Sequence, residues 1–258
     1  MNQHLPPFLA ALRFLTIFPV SWRADADGRH FPDGLFYFWL IGLAIGSLCA
    51  LSAALIGAFL PHSLVTFVGI VLLAAVSGFM HVDGLADSAD GLLSSRGREE
   101  KLVIMRDSRI GVMGVMAILI IFGGKIAALS ALPSDTFLPA LLLMPVAGRC
   151  AIVVSMAVLP YARPEGGLGR LFYSRETVRA AWLCAAAFLT VLCLWVALTA
   201  VTWQTAFILV LVLAATIFLF AGWCRRSLGG ATGDTLGAIC EIAELMTAVA
   251  LSIGLDGI

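Results

Sequence analysis

Long apolar runs separated by short polar connections dominate this chain. A run of about 20 apolar residues is long enough to cross a bilayer as a helix. Seven such runs are predicted, over residues 35–60, 62–80, 111–131, 137–160, 180–201, 204–223 and 236–255. Since no run shows strand-like alternation, the pattern predicts an all-α fold, a polytopic integral membrane bundle of about seven transmembrane helices.

A shorter apolar stretch precedes the first run. Residues 8–20 are interrupted by Arg13 and carry Phe8, Leu12 and Leu15 at helical spacing. A short amphipathic segment of this kind is typical of a helix that lies in the membrane interface. The sequence therefore predicts an N-terminal interfacial helix ahead of the bundle.

Basic residues collect in alternate connections. Residues 61–62, 133–136 and 202–204 and the C-terminal tail contain no Lys or Arg, whereas the opposite connections carry nearly all of them. By the positive-inside rule the basic connections are cytoplasmic, which predicts a cytoplasmic N-terminus and a periplasmic C-terminus. We expect one helical domain over residues 1–258, in the bacterial inner membrane, with its polar chemistry at the cytoplasmic face.

Composition agrees with a chain embedded in a lipid bilayer. Of its 258 residues 61% are hydrophobic and 12% charged, and the mean hydropathy is +1.02. A soluble domain is typically about a quarter charged. Because the formal net charge is zero and no basic stripe is present, no nucleic-acid partner is expected.

Three carboxylates follow the second apolar run. At about 100° per residue, a helix would carry Asp83, Asp87 and Asp90 within a sector about 60° wide. Carboxylates so close repel one another unless a cation lies between them. Mg²⁺ is usually shared between carboxylates and substrate phosphates. The first hypothesis is a membrane enzyme that acts on a phosphorylated substrate, with these three side chains as metal ligands.

Two arginines three residues apart precede the third run. Arg106 and Arg109, with Asp107 between them, are predicted to contact substrate, because guanidinium groups match phosphate oxygens. The alternative is that the two arginines only anchor a helix end at the membrane surface.

A glycine-rich loop opens the last run. Backbone amides of such a loop, beside a helix N-terminus, favour anions, so we predict substrate contacts at Gly230, Thr232 and Gly233. A continuous helix would turn Asp234 and Glu241 to nearly the same direction, with Glu241 about 8 Å below the cytoplasmic start of the helix. Both are predicted as metal ligands.

Three further charged residues lie inside apolar runs. Glu244 stands about 60° from Glu241 around the helix and is predicted, with Arg149, to contact substrate. Pairing of Arg149 with Glu241 or Glu244 is the structural alternative. Lys125 is expected to extend outward, away from the site, and His81 is expected to face away from Asp83 and to bind no metal.

Four blocks together resemble a known family. They are FLTIFPV at 14–20, DGLADSADG at 83–91, MRDSRIG at 105–111 and GATGDTLGA at 230–238. In this order, and over nearly the whole chain, they are similar to cobalamin synthase, the adenosylcobinamide-GDP ribazoletransferase family. The start of the second block also resembles the CDP-alcohol phosphotransferase signature, but Asp87 stands where that family has Arg, and the later Gly-x3-Asp-x3-Asp is absent.

The resemblance implies an inner-membrane, Mg²⁺-dependent enzyme. It would join adenosylcobinamide-GDP to α-ribazole or α-ribazole 5′-phosphate, give adenosylcobalamin or its phosphate, and release GMP. Asp83 and Asp87 would then be catalytic, with Asp87 the guess for the general base. A secondary transporter with intramembrane carboxylates is the competing interpretation. The oligomeric state is left open, a homo-oligomer included.

Overall fold

Within residues 4–20, 27–163, 165–198 and 201–255, which the computed structural model describes, the chain folds into eleven α-helices. They are α1 (Leu5–Leu15), α2 (Asp27–Gly34), α3 (Phe38–Ile56), α4 (His62–Val76), α5 (Met80–Leu92), α6 (Arg98–Ile104), α7 (Val112–Ser130), α8 (Ser134–Val158), α9 (Thr177–Leu198), α10 (Trp203–Leu228) and α11 (Gly233–Leu255). Short 3₁₀ turns cover Leu35–Tyr37 and Leu168–Phe172.

Six of the described helices are long and apolar enough to cross a membrane, or up to seven if the bent pair α4 and α5 is one span. The prediction of an all-helical fold with about seven helices that could cross a membrane is therefore confirmed for the described residues. The bend between α4 and α5 is 88°. It is made by Gly78 and Phe79, whose φ angles are +59° and +57°. This left-handed backbone is natural for glycine and uncommon for phenylalanine, and it turns the aspartate-bearing helix away from the direction of α4.

Helix α8 forms the centre of the bundle and packs against α3, α9 and α11. The contact with α3 depends on two glycines, Gly42 and Gly46, which are four residues apart. A Cβ atom on Gly42 would lie 2.6 Å from the carbonyl oxygen of Pro145 on α8. Glycines at this spacing let two membrane helices approach to backbone contact.

Glycines also hold α5 against α11. A Cβ atom on Gly84 would lie 2.8 Å from the carbonyl oxygen of Asp234, and one on Gly237 would lie 3.2 Å from the Cα of His81. Because neither glycine has a side chain, the two helices meet closely. This contact brings the aspartates of α5 beside Asp234.

Gly84→Ala is expected to destabilise the protein by about 1–3 kcal/mol, because the added methyl group overlaps the backbone of α11. Gly222→Ala on α10 is the matched control, since a Cβ there meets nothing within 4 Å, and alanine in a helix is favoured over glycine by about 0.5–1 kcal/mol. Thermal unfolding in detergent, followed by tryptophan fluorescence, compares the two. Equal midpoints for both variants would contradict this account of the α5–α11 contact.

Helix α1 is too short to cross a bilayer, because its 11 residues extend about 16 Å. Ala10, Ala11 and Leu15 are buried where α1 packs against α2 and α3. The interfacial location predicted for this helix stays a prediction, but its Phe14 side chain reaches the cavity described next.

Candidate active site

A cavity of about 300 Å³ lies where α5, α8 and α11 meet the segment that follows α8. Its polar lining consists of Asp83, Asp234, Arg163, His81 and Tyr161. Glycines and apolar side chains complete it: Phe14, Phe38, Met80, Gly84, Ile152, Met156, Gly167, Gly169, Phe172, Gly233, Leu236 and Gly237. Two carboxylates that stand 151 positions apart in the sequence thus line one cavity.

Negative charge concentrates beside this cavity. Asp87 lies within electrostatic range of Asp83, Asp234 and Asp90, and Arg163 opposes their effect. Arg163 donates a hydrogen bond of 2.7 Å to Oδ2 of Asp234, and the Thr232 hydroxyl donates another to the same oxygen. Since Asp83 is exposed and Asp87 half-buried, both carboxylates remain accessible to a cation.

Asp90, predicted as a third metal ligand, has another partner in the structure. Its two carboxylate oxygens accept hydrogen bonds from the backbone amides of Gly111, at 2.7 Å, and Gly114, at 2.9 Å. These amides belong to the start of α7, where a helix has no partners of its own for its first N–H groups. Asp90 therefore caps α7, and the carboxylate is well placed to interact with the helix dipole.

Asp90→Asn is expected to lower the stability of the metal-free protein by about 1–2 kcal/mol, because an amide replaces one of two capping oxygens and the charge at the helix start is lost. Thermal unfolding in EDTA measures this. A variant as stable as the original protein in EDTA, but with a weaker response to Mg²⁺, would restore the predicted role of Asp90 as a metal ligand.

The glycine-rich loop is held mainly by its own neighbours. Ala231 exchanges backbone hydrogen bonds of 2.8 Å with Pro160 and Ala162, and a side chain on Gly230 would overlap the Pro160 carbonyl. Thr232 is buried and caps α11 through reciprocal bonds with Thr235. Of the three predicted substrate contacts in this loop, Gly233 lines the cavity, while Gly230 and Thr232 shape the turn.

The arginine motif lies on an exposed connection. Arg106 pairs with Glu165, in the segment that follows α8. Arg109 pairs with Asp107, and its hydrogen bonds lower the pKa of Asp107 to about 2. None of the three predicted residues lines the cavity, but Arg106 acts electrostatically on Tyr161, which does. Arg106 is thus at the rim of the site, and Arg109 faces solvent.

Lys125 lies outside the cavity lining, as predicted, but the prediction that its side chain extends outward was wrong. Lys125 is 2% exposed, and its Nζ donates hydrogen bonds to Glu241 at 2.6 Å and to Glu244 at 2.7 Å. Arg149 pairs with the other oxygen of Glu244 and donates a hydrogen bond of 2.6 Å to Ser77. The depth of a residue along its own helix can be predicted from the sequence. The relative shift of α7 and α11 along their axes cannot, and this shift places Lys125 beside the two acids.

We call Lys125, Arg149, Glu241 and Glu244 the buried quartet. Glu241 was predicted as a metal ligand, and Glu244 and Arg149 as substrate contacts. The structure instead gives these three side chains partners inside the protein, and none of them lines the cavity. The structural alternative, pairing of Arg149 with a buried acid, is the observed arrangement.

Arg163 and Tyr161 line the cavity but were not predicted as site residues from the sequence. Both lie in the connection after α8, beside a second glycine-rich run at 166–169. Gly166 and Gly167 have φ angles of +94° and +143°, and a Cβ on Gly167 would lie 2.7 Å from the Tyr161 hydroxyl. Glycines clustered beside an arginine were the available signal for this half of the cavity.

Comparison with known proteins gives a consistent result. The model of the family described as cobalamin-5-phosphate synthase matches residues 7–252. A protein named adenosylcobinamide-GDP ribazoletransferase from Roseiflexus sp. (strain RS-1) is 39% identical over 96% of this chain and 89% of its own length. Proteins with the same name from Syntrophobacter fumaroxidans and Pseudomonas putida are 40% and 39% identical, over 93% and 96% of this chain and 95% and 99% of their own lengths.

No solved structure matches this chain significantly. The family match extends from α1 to α11 and so includes every segment that lines the cavity. A match over this length, together with relatives that align along almost their whole sequences, shows that this chain belongs to the cobalamin-5-phosphate synthase family.

Proposed function

We propose that this protein is an adenosylcobinamide-GDP ribazoletransferase. It joins adenosylcobinamide-GDP to α-ribazole or α-ribazole 5′-phosphate, releases GMP, and gives adenosylcobalamin or its phosphate. The relatives that carry this name align with nearly the whole of this chain. The observation that carries the proposal is the convergence of Asp83, Asp234 and Arg163 on one cavity, because carboxylates and a guanidinium are the groups that a diphosphate-cleaving site needs.

We further propose that the enzyme uses Mg²⁺. Among the described residues, no three His, Cys, Asp or Glu side chains form a ready-made metal site. Mg²⁺ seldom needs one, since it is commonly held by one or two carboxylates, by waters and by substrate phosphates. Asp83 and Asp234, with Asp87 within electrostatic range, supply such a donor set. Bound there, Mg²⁺ would neutralise charge on the diphosphate and on the departing GMP.

The residues of the chain then have separate tasks in the proposed reaction. Arg163, already positioned by Asp234, is suited to bind phosphate oxygens, and Arg106 lies at the rim for a second contact. Asp87 is half-buried among other carboxylates, which suits a general base. It would accept the proton of the acceptor hydroxyl while the new P–O bond forms and the bond to GMP breaks.

The proposed location is the bacterial inner membrane, with the cavity at the cytoplasmic face. The long apolar helices support a multi-pass membrane protein. Support for the orientation comes from the arginines around the cavity, because basic connections stay in the cytoplasm. With α4 and α5 counted as one crossing, the number of crossings is odd, which agrees with a cytoplasmic N-terminus and a periplasmic C-terminus.

The competing interpretation, a secondary transporter, gains no support from the intramembrane acids. A coupling-ion site requires acids that are free to bind an ion. Glu241 and Glu244 are instead neutralised by Lys125 and Arg149. The arrangement is typical of internal structural pairing.

The experiment that tests the proposal uses the purified protein in nanodiscs with adenosylcobinamide-GDP, α-ribazole and Mg²⁺. We expect equal amounts of GMP and of complete corrinoid product, and we expect EDTA to abolish both. Folded protein that forms no product with either α-ribazole or its 5′-phosphate would contradict the proposal. CDP-alcohol substrates would then be tested in the same system.

A further inference from the structure

Part of the cavity wall is aromatic. Phe14 of α1, Phe38 of α3 and Phe172 of the 3₁₀ turn before α9 all line it. The ring centroids of Phe14 and Phe172 lie 4.6 Å apart, and those of Phe38 and Phe172 lie 5.7 Å apart. Phe31 stacks on Phe172 at 4.6 Å. We call Phe14, Phe38 and Phe172 the aromatic wall.

Two buried polar atoms at this cavity, Nε2 of His81 and Nε of Arg163, have no hydrogen-bond partner within the described part of the chain. His81 is 4% exposed and lines the cavity, and its Nε2 is buried without a hydrogen bond. Buried polar groups are nearly always hydrogen-bonded, and leaving one unpaired costs about 1–3 kcal/mol. The side chain is therefore available to a ligand that carries a hydrogen-bonding group into the cavity.

The size of the cavity discriminates between the two proposed substrates. A volume of about 300 Å³ is at the lower end of the range for small-molecule sites. A nucleoside fits a space of this size, whereas a corrinoid with its nucleotide tail does not. Most of adenosylcobinamide-GDP must therefore remain outside the cavity.

Polarity discriminates between the two aromatic bases that could enter. The guanine of the GDP group carries several hydrogen-bond donors and acceptors, and each would need a buried partner. The benzimidazole of α-ribazole is nearly apolar. An aromatic wall offers ring faces and edges but no hydrogen bonds, so it suits the benzimidazole.

Resting on the proposed function, we infer that this cavity binds the acceptor nucleoside with its base against the aromatic wall. The ribose then lies toward Asp83 and Asp234, where its hydroxyl can attack, and His81 Nε2 hydrogen-bonds a ribose hydroxyl. Adenosylcobinamide-GDP lies at the mouth of the cavity with its diphosphate facing the ribose hydroxyl, so that the hydroxyl attacks the phosphorus next to the cobinamide and GMP leaves. The aromatic wall consequently selects which base becomes the lower ligand of the corrinoid.

Phe14→Leu and Phe172→Leu test the aromatic wall. Each is expected to raise KM for α-ribazole about tenfold, because stacking and shape are lost, while KM for adenosylcobinamide-GDP stays unchanged. Phe218→Leu is the matched control, since this side chain is 59% exposed on α10. Phe14 is less buried than Phe172, so Phe14→Leu keeps the test available if the Phe172 variant fails to fold.

Binding without turnover gives an independent measurement. Equilibrium dialysis of α-ribazole alone, in EDTA, is expected to show weaker binding to both wall variants and unchanged binding to Phe218→Leu. Guanosine is expected to compete poorly. A rise in KM for adenosylcobinamide-GDP alone, or strong competition by guanosine, would overturn the inference by placing the guanine in the cavity. Failure of the proposed function is distinct, because the unaltered protein would then release no GMP.

Discussion

Asp83→Asn is expected to lower the rate of Mg²⁺-dependent GMP release on the order of a thousandfold. Asp83 is an exposed carboxylate that lines the cavity. An asparagine keeps its size but removes the charge that, in the proposed reaction, would hold a divalent cation against the diphosphate. Such a cation stabilises the transition state by several kcal/mol, which corresponds to about three orders of magnitude in rate.

Stability and activity must be separated in this experiment. Because Asp83 is exposed, we expect the thermal unfolding midpoint of Asp83→Asn to stay near that of the original protein. Asp135→Asn is the matched control, since this exposed aspartate lies in the first turn of α8 and does not line the cavity, and full activity is expected. An Asp83→Asn enzyme that keeps Mg²⁺-dependent turnover would exclude this carboxylate as a metal ligand.

Lys125→Met is expected to lower the free energy of unfolding by about 3–5 kcal/mol, because removing one partner of a buried ion pair leaves a charge without compensation. Glu241 and Glu244 both accept hydrogen bonds from this ammonium group. Without it, the single positive charge of Arg149 faces two carboxylates. Thermal unfolding and the yield of folded protein in detergent measure the loss.

A second substitution tests whether charge balance is the cause. Adding Glu241→Gln to Lys125→Met leaves the pair of Arg149 and Glu244 neutral, so we expect the double variant to recover much of the lost stability. Arg96→Met is the control and is expected to have a small effect, because this side chain is 66% exposed and its pair with Glu100 lies at the surface. A double variant less stable than Lys125→Met would indicate that hydrogen bonding, and not net charge, holds the buried quartet together.

The buried quartet also bears on the geometry of the active site. Arg149 donates a hydrogen bond to Ser77, immediately before the backbone bend that directs α5. The ion pairs therefore connect α7, α8 and α11 to the point where the chain turns toward Asp83. Arg149, Glu241 and Glu244, which were predicted to bind substrate or metal, form ion pairs inside the protein and connect helices that carry the cavity.

Two parts of the site differed in how far sequence could predict them. Asp83 and Asp234 each follow an apolar run whose adjoining connection is rich in arginine. The positive-inside rule therefore predicted that both lie at the same face of the bundle. Asp90 has the same periodicity as Asp83, yet it caps α7, because the start of that helix lies against it. Helical periodicity alone does not distinguish a free carboxylate from one that accepts hydrogen bonds from the backbone amides of a neighbouring helix.

The helical, apolar character of this protein and the places of its polar blocks along the chain can be predicted from the sequence, because hydropathy and helical periodicity are local properties. The stagger of α7 against α11, which buries Lys125, and the meeting of Phe14, Phe38 and Phe172 in one wall are seen only in the folded protein. Packing between helices depends on glycine contacts that join residues far apart in the sequence, and on bends in the backbone. No local pattern fixes these positions, and they are what shape the cavity.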